Sequence, residues 1–467
     1  MNTLCNNLIL NTDSYKLSHV YQYPERTQTL FGYGESRGGA FEDVLFFGLQ
    51  AIIQEQLAHP VTEAMIEEAR ELVPAHGFKF YEEGWRRLLE KHEGRLPIRI
   101  RAVREGTVVP QHQLLWSVES TDPEFFWLVS YVETLLMRVW YPTTVASLSY
   151  HCKKILRAGL EQSSETPEAQ LPFKLHDFGA RGVSSQESAM FGGMGHLVNF
   201  MGTDTLDALR AARYFYDAKG VVGYSIPAAE HSTTSIRGRA AEVETYRHMI
   251  KTFGQKDKIF AVVSDTYDIF NAIENLWGKE LRQEVIDSGA TLVIRPDSGE
   301  PVEVVAKCLA LMDQQFGSVV NAKGYKVINH VRLIQGDGIN PNSLKAIVDR
   351  VLSDGYSLDN IAFGMGGGLL QQVNRDTLKF AMKLSAAEVD GEWRDVYKDP
   401  ITDPGKRSKR GRLTLTRHGE TGEYRTLRLE ELKDHPEFED VLCTVFENGV
   451  CFNRQTFEEI RLRSETA

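Results

Sequence analysis

Between Lys174 and Leu369 the chain repeats one rhythm seven times: a short apolar run stops at a cluster of Asp, Arg, His or Gly, and a helical stretch follows. The runs end near His176-Asp177-Phe178, Gly202-Thr203-Asp204, Pro227 to His231, Ser264-Asp265, Arg295-Pro296-Asp297, Gln335-Gly336-Asp337 and Gly364 to Gly368. Their spacing, roughly 25 to 40 residues, is that of strand–helix units. Strands joined through helices run parallel, so the expected fold is α/β, an irregular (β/α) barrel of mostly parallel strands. A doubly wound open sheet is the alternative. In a barrel, residues just past the strand ends line one mouth, which would bring the polar clusters together.

On either side the rhythm is lost. Before Leu160, helical patterns at Val61–Leu72 and Phe125–Val139 mix with strand-like runs at Ile98–Val103 and Leu114–Val118; after Ser385, strand candidates return at Leu413–Arg417 and Val441–Phe446. The expectation is an N-terminal α+β lobe over 1–160, the barrel over 161–384, and a segment, 385–467, that returns to the lobe. The chain's 467 residues exceed the ~250 that one core usually holds. No Pro/Gly/Ser-rich linker divides them, so the lobe and barrel should interleave. A net charge of -11 argues against a general nucleic-acid surface. Cys5, Cys152, Cys308, Cys443 and Cys451 are odd in number and scattered without zinc or C-x-x-C spacing, which suits a reducing compartment. Met1 to Leu10 lacks a secretory pattern, and no run approaches the ~18 apolar residues of a membrane span, so the expected location is cytoplasmic.

Leu292 to Gly299 reads as a buried strand stopped by Pro296, presenting Arg295 and Asp297 together. A structural ion pair would explain an isolated motif of this kind; its setting among similar rims favours a functional one. Leu333 to Gly338 repeats the device at Gly336 and Asp337, with glycines that let backbone amides approach a ligand. Phe363 to Leu369 carries four glycines between strand and helix and reads as a phosphate cradle, although its spacing is neither a P-loop nor a dinucleotide fingerprint. Gly192-Gly193-Met194-Gly195 follows a helical stretch and reads as packing. Asp265 and Asp268, with Asp297 and Asp337, supply carboxylates suited to sugar hydroxyls and Mg²⁺; an N-cap role for Asp265 is compatible with this. His231 stands where a helix begins, beside Ser232-Thr233-Thr234, and its rim position favours chemistry over packing. The basic run Lys406 to Arg412 looks like a nucleic-acid patch but reads as solvated surface.

Further motifs lie outside these rims: Asn11-Thr12-Asp13-Ser14-Tyr15-Lys16, His19, Tyr23-Pro24, Phe47-Gly48-Leu49-Gln50, Trp140-Tyr141-Pro142, Arg181-Gly182-Val183-Ser184-Ser185 and Lys398-Asp399-Pro400. With the rims, they make the chain resemble the nicotinamide phosphoribosyltransferases of the type II phosphoribosyltransferase family over nearly its whole length. The resemblance implies an irregular α/β barrel beside an α+β lobe, in a homodimer with shared active sites. It implies condensation of nicotinamide with 5-phosphoribosyl 1-diphosphate in NAD salvage, Mg²⁺ as cofactor, and ATP as auxiliary substrate acting through a phosphohistidine at His231. The implied catalytic set is His231, Asp297, Arg295 and Asp268, with Asp268 and Asp297 near the metal. Phe178, with Tyr15 of the partner subunit, would sandwich the ring, Arg295 would donate to its amide, and Asp204 would choose the base. Gly336, Asp337, Gly366, Gly367 and Arg375 would receive the ribose and its 5′-phosphate. Arg37, Arg181, His231, Arg295, Lys383 and Lys398 would hold the diphosphate. Nicotinate phosphoribosyltransferase is the nearest rival reading; a non-catalytic protein of the same fold, or a barrel aldolase or isomerase, are rivals of other classes.

Overall fold

The computed structural model describes residues 7–402 and 407–466. The chain divides into two compact units: one runs to Ser147 and takes up 212–218 and the chain from Asn374 onward, and the other comprises Leu148–Ala211 and Lys219–Val373. The divisions fall near, and not at, residues 160 and 384. The helix Trp140–Ser163 spans both the first division and residue 160, and the strand Phe380–Val389, which contains residue 384, lies wholly in the first unit.

The second unit holds six parallel strands, β1 (Leu175–Asp177), β2 (Gly202–Thr203), β3 (Ile259–Val263), β4 (Thr291–Arg295), β5 (Val331–Gln335) and β6 (Ile361–Met365), in the order β2-β1-β6-β5-β4-β3. These are six of the seven apolar runs. The seventh, around Pro227, hydrogen-bonds to both edges of the curled sheet: Thr203 N donates to Tyr224 O at 3.0 Å on the β2 side, and Ala229 N to Ala261 O at 3.0 Å on the β3 side. It forms only isolated bridges, and Pro227 has no N–H to extend a ladder.

Alternation of side chains along these strands explains how the mouth is built. Ala261, Val293 and Ile334 pack together with Ile226, Ala362 and Phe178. Two residues further along the same faces stand Arg295, Gly336 and Gly364, because residues i and i+2 of a strand share a side. One strand parity thus furnishes both the apolar filling and the rim. Gly192, Gly193 and Gly195 are buried within the helix Gln186–Leu197, and a Cβ on Gly193 would lie 2.6 Å from that of Ala208, so this glycine run serves packing.

The first unit is built on a seven-stranded antiparallel sheet in which Thr27–Ser36 lies between Phe380–Val389 and Leu114–Ser120, followed by Ile98–Ala102 and Cys443–Glu447. N- and C-terminal parts are therefore interleaved strand by strand. The expected helix Val61–Leu72 is Glu63–Ala75, capped by Thr62. The expected helix Phe125–Val139 is broken into a 3₁₀ turn, Pro123–Phe125, and two short helices, Leu128–Tyr131 and Glu133–Met137. Cys5 and Lys406 lie outside the described residues. In the rest of the basic run, Arg407 pairs with Asp399 at 2.8 Å, Lys409 with Glu35, Arg410 with Asp395 at 3.7 Å and Arg412 with Glu119 at 3.7 Å. Each of these four cations is matched by a carboxylate of the chain itself. No helix among the described residues is long and apolar enough to cross a membrane.

Candidate active site

Phe178 follows β1, and its amide donates to Met365 O at 3.0 Å, which fixes the backbone beside β6. Its ring occupies space that side chains elsewhere would fill: a Cβ on Gly364 would sit 1.9 Å from Phe178 Cε2, and one on Gly336 would sit 3.2 Å from it. Gly364, expected in a phosphate cradle, is therefore a clearance for an aromatic ring. The open part of the run is Gly366-Gly367, where a Cβ on Gly367 would meet nothing within 4 Å. A Cβ on Gly182 would come 3.7 Å from Gly367 Cα, so the Arg181 turn lies beside this opening. The close contact at Gly364 makes a clear prediction. Gly364→Ala should displace the ring and lower stability by about 1–3 kcal/mol; thermal unfolding of the variant beside the wild type would show it.

The Arg295 guanidinium carbon lies 5.5 Å from the Phe178 ring centroid, and its Nη2 and Nε donate to Asp297 Oδ1 at 2.8 and 3.3 Å. A cation over an aromatic face is worth ~0.5–2 kcal/mol and fixes the plane of the guanidinium. Asp265 ties this rim to the histidine. Its Oδ2 accepts from Asp297 N at 3.0 Å and Ser298 Oγ at 2.6 Å, and its Oδ1 lies 2.9 Å from His231 Nε2. Burial by itself would raise the Asp265 pKa, but hydrogen bonds from Ser298, His231 and the Asp297 amide outweigh it and hold the carboxyl below its ordinary value. The N-cap role expected for Asp265 belongs to Asp268, whose Oδ1 accepts from Phe270 N and Asn271 N, both at 3.0 Å. The linking role of Asp265 escaped the sequence because it depends on β3 and β4 being neighbours. His231 itself opens the helix His231–Ser235 and is half exposed.

Asp204 follows β2 with its amide on Asp177 O at 2.9 Å, and its Oδ1 accepts from Ser225 Oγ at 2.5 Å. Ser225 carried no sequence signal; it reaches Asp204 because Tyr224 bridges to β2. Beneath lies Asp177, fully buried, with Oδ1 accepting from Gly179 N at 2.7 Å. Burial raises the Asp177 pKa; hydrogen bonds from Thr205 and Gly179 offset part of this, and the Asp204 carboxylate adds to the rise. Asp337 is exposed, and its carbonyl accepts from Gln335 Nε2 at 2.8 Å.

The remaining expected residues belong to the first unit. Tyr15 is 53% exposed, with its ring edge-on to His19 at 5.0 Å. Arg37 Nε donates to Glu35 Oε1 at 2.7 Å, and Arg375 pairs with Asp376 at 3.1 Å. Burial lowers the Lys383 pKa, Glu133 opposes this, and Arg37, Lys398 and Lys16 lower it further, which places these three cations within electrostatic reach of Lys383. The structure thus brings Arg37, Lys383 and Lys398 together, and separately brings Phe178, Gly336 and Arg295 to one rim. Among the described residues, no group of three His, Cys, Asp or Glu side chains is arranged to hold a metal ion.

The description of the nicotinate phosphoribosyltransferase (NAPRTase) family matches residues 173–450, and that of the nicotinamide phosphoribosyltransferase N-terminal domain matches residues 7–100. A nicotinamide phosphoribosyltransferase of Xanthomonas campestris pv. campestris (strain 8004) is 58% identical over 462 residues, covering 99% of this chain and 98% of that protein. The chain belongs to the nicotinamide phosphoribosyltransferase family. It is therefore a pentosyltransferase. A second nicotinamide phosphoribosyltransferase, from Acinetobacter baylyi (strain ATCC 33305 / BD413 / ADP1), is 32% identical and covers 97% of this chain and 95% of its own. Among solved structures, nicotinate-nucleotide pyrophosphorylase from Pyrococcus furiosus aligns with a TM-score of 0.64 at 13% identity, over 100% of this chain and 96% of that one. Human nicotinic acid phosphoribosyltransferase aligns with a TM-score of 0.55 at 16% identity, over 97% and 93%. At such identities these two structures speak to the fold alone, and they agree with the parallel strands of the second unit.

Proposed function

We infer that the enzyme condenses nicotinamide with 5-phosphoribosyl 1-diphosphate, giving nicotinamide mononucleotide and diphosphate in NAD salvage. The observation that carries the choice of base is Asp204, an exposed carboxylate held by Ser225 at the end of a barrel strand. Such a group accepts from the amide NH₂ of nicotinamide and repels the carboxylate of nicotinate. The ring nitrogen has a lone pair and no proton to lose, so neither a general base nor a protein nucleophile is needed. The C1–O bond to diphosphate breaks, positive charge develops on the ribosyl carbon, and the C1–N bond forms.

Catalysis then consists of holding the reactants and matching charge. Phe178, with Tyr15 of the partner subunit, clamps the ring, whose product form is a cation favoured by π faces. Arg295 donates to the amide oxygen. Gly336, Asp337, Gly366, Gly367 and Arg375 receive the ribose and 5′-phosphate, and Arg37, Arg181, Lys383 and Lys398 take up the charge of the departing diphosphate. Such a division of labour requires the homodimer, with each site completed by a second copy. Asp268 and Asp297 offer hard oxygen ligands, each with one oxygen already engaged by the protein, a donor set that fits Mg²⁺ sharing its remaining ligands with substrate phosphates. Bound there, Mg²⁺ would supply positive charge to neutralise the leaving diphosphate.

ATP acts through His231. With Nε2 hydrogen-bonded to Asp265, the imidazole keeps its lone pair on Nδ1, the nucleophile towards the γ-phosphorus; the Nδ1–P bond forms as the bond to ADP breaks. His231→Ala is expected to lose ATP stimulation more than basal condensation, read as initial rates with and without ATP. Equal stimulation in the variant removes this role. The reaction itself is tested by incubating the protein with nicotinamide, phosphoribosyl diphosphate and Mg²⁺ and weighing the product by mass spectrometry. The match to the NAPRTase family description favours nicotinate as the second reading; the same assay with nicotinate in place of nicotinamide separates the two.

A further inference from the structure

Among the cations of the first unit lies a carboxylate to which the proposed reaction assigns no substrate contact. Glu35 stands on the strand Thr27–Ser36 on the same face as Tyr33, and its side chain is 3% exposed. Its Oε1 accepts from Arg37 Nε at 2.7 Å and from the Tyr33 hydroxyl at 3.4 Å, and its Oε2 meets the Lys409 ammonium. The Tyr33 hydroxyl in turn accepts from Lys409 N at 3.0 Å, so Glu35 and Tyr33 pin the Lys409 backbone as well as its side chain. Carboxylates are seldom buried unless they are paired, and this one is paired twice.

The other half of the observation is Arg37. One edge of its guanidinium is spent on Glu35, while Nη2 is buried without a hydrogen-bond partner among the described residues. A buried donor left unmatched costs roughly 1–3 kcal/mol, so the fold tolerates it where a ligand supplies the acceptor. Lys383 stands opposite Tyr33 in the strand register, within electrostatic reach of Arg37. We propose that Glu35 is a positioning residue for diphosphate: it locks Arg37 in the one orientation that presents Nη2, alongside Lys383, to the anion, and anchors the Lys409 segment next to them. This rests on the assignment of Arg37 and Lys383 to diphosphate and adds the group that assembles them before substrate arrives.

The sign of the effect separates positioning from simple charge. Through Coulomb's law alone, removing a negative charge beside these cations strengthens anion binding. Loss of positioning weakens it, because Arg37 regains rotamers and a bidentate approach is lost. The measurement is inhibition of the wild-type enzyme and of Glu35→Gln by inorganic diphosphate, competitive with phosphoribosyl diphosphate, with KM for both substrates and the unfolding temperature. The expected result is a rise of about tenfold in the diphosphate Ki and the phosphoribosyl diphosphate KM, with the nicotinamide KM changed by less than about twofold. A Ki that stays the same or falls in a folded Glu35→Gln overturns the proposal. Should that variant fold poorly, Glu35→Asp keeps the charge and shortens the reach; its Ki should rise at least about threefold, and an unchanged value overturns the proposal equally. If diphosphate fails to compete in the wild-type enzyme, the underlying assignment falls and the proposal with it.

Discussion

Arg295→Ala should lower kcat/KM by about a hundredfold or more, a loss typical of removing one preorganised donor at a reacting centre. Three effects combine in the one side chain. The guanidinium stacks on Phe178, it is the expected donor to the amide oxygen, and it is the direct partner of Asp297. Its removal frees the Phe178 ring, proposed to clamp the base, and leaves the Asp297 carboxylate without its counter-ion. Arg295→Lys retains the charge and should recover little, because an ammonium cannot present a planar fork to Asp297 and an aromatic face at once. Steady-state kinetics on both variants decide the matter, and a variant within a few-fold of wild type would show that Arg295 is only a structural ion pair.

Asp204→Asn is expected to change the choice of base by about two orders of magnitude. Two unit charges ~4 Å apart repel by about 4 kcal/mol at the effective dielectric near a protein surface, and an exposed site loses part of that to solvent. Asparagine keeps an acceptor for the amide NH₂ and for the Ser225 hydroxyl while removing the charge, so nicotinamide should suffer modestly and nicotinate should gain. The ratio of kcat/KM for the two bases, measured at the same pH and ionic strength, is the readout. A ratio unchanged from wild type would mean that base choice lies elsewhere.

The legibility of this chain differed from residue to residue for physical reasons. Six of the seven apolar runs are strands of the parallel sheet and the seventh bridges its two edges, because alternation, strand length and the helices between them are local properties. Phe125–Val139 reads as one helix in the sequence, since its apolar periodicity continues through the breaks at Phe126 and Val132 and only the packing shows them. Among the glycines, Gly193 was legible as packing from its helical context. Gly364 was not legible as a clearance for Phe178, because a glycine at a strand end looks the same whether a phosphate or a ring takes the space.

What the amino-acid order determined alone was the parallel architecture, the interleaving of the two ends of the chain, and the set of charged and aromatic residues placed at strand ends. Tertiary structure alone decided who touches whom: Asp265 as the link between His231 and the Asp297 turn, Ser225 on Asp204, Glu35 between Arg37 and Lys409. Strand periodicity and turn chemistry are written within a few residues. A hydrogen bond between side chains on different strands depends on which strands become neighbours, and that choice belongs to the packing of the whole unit.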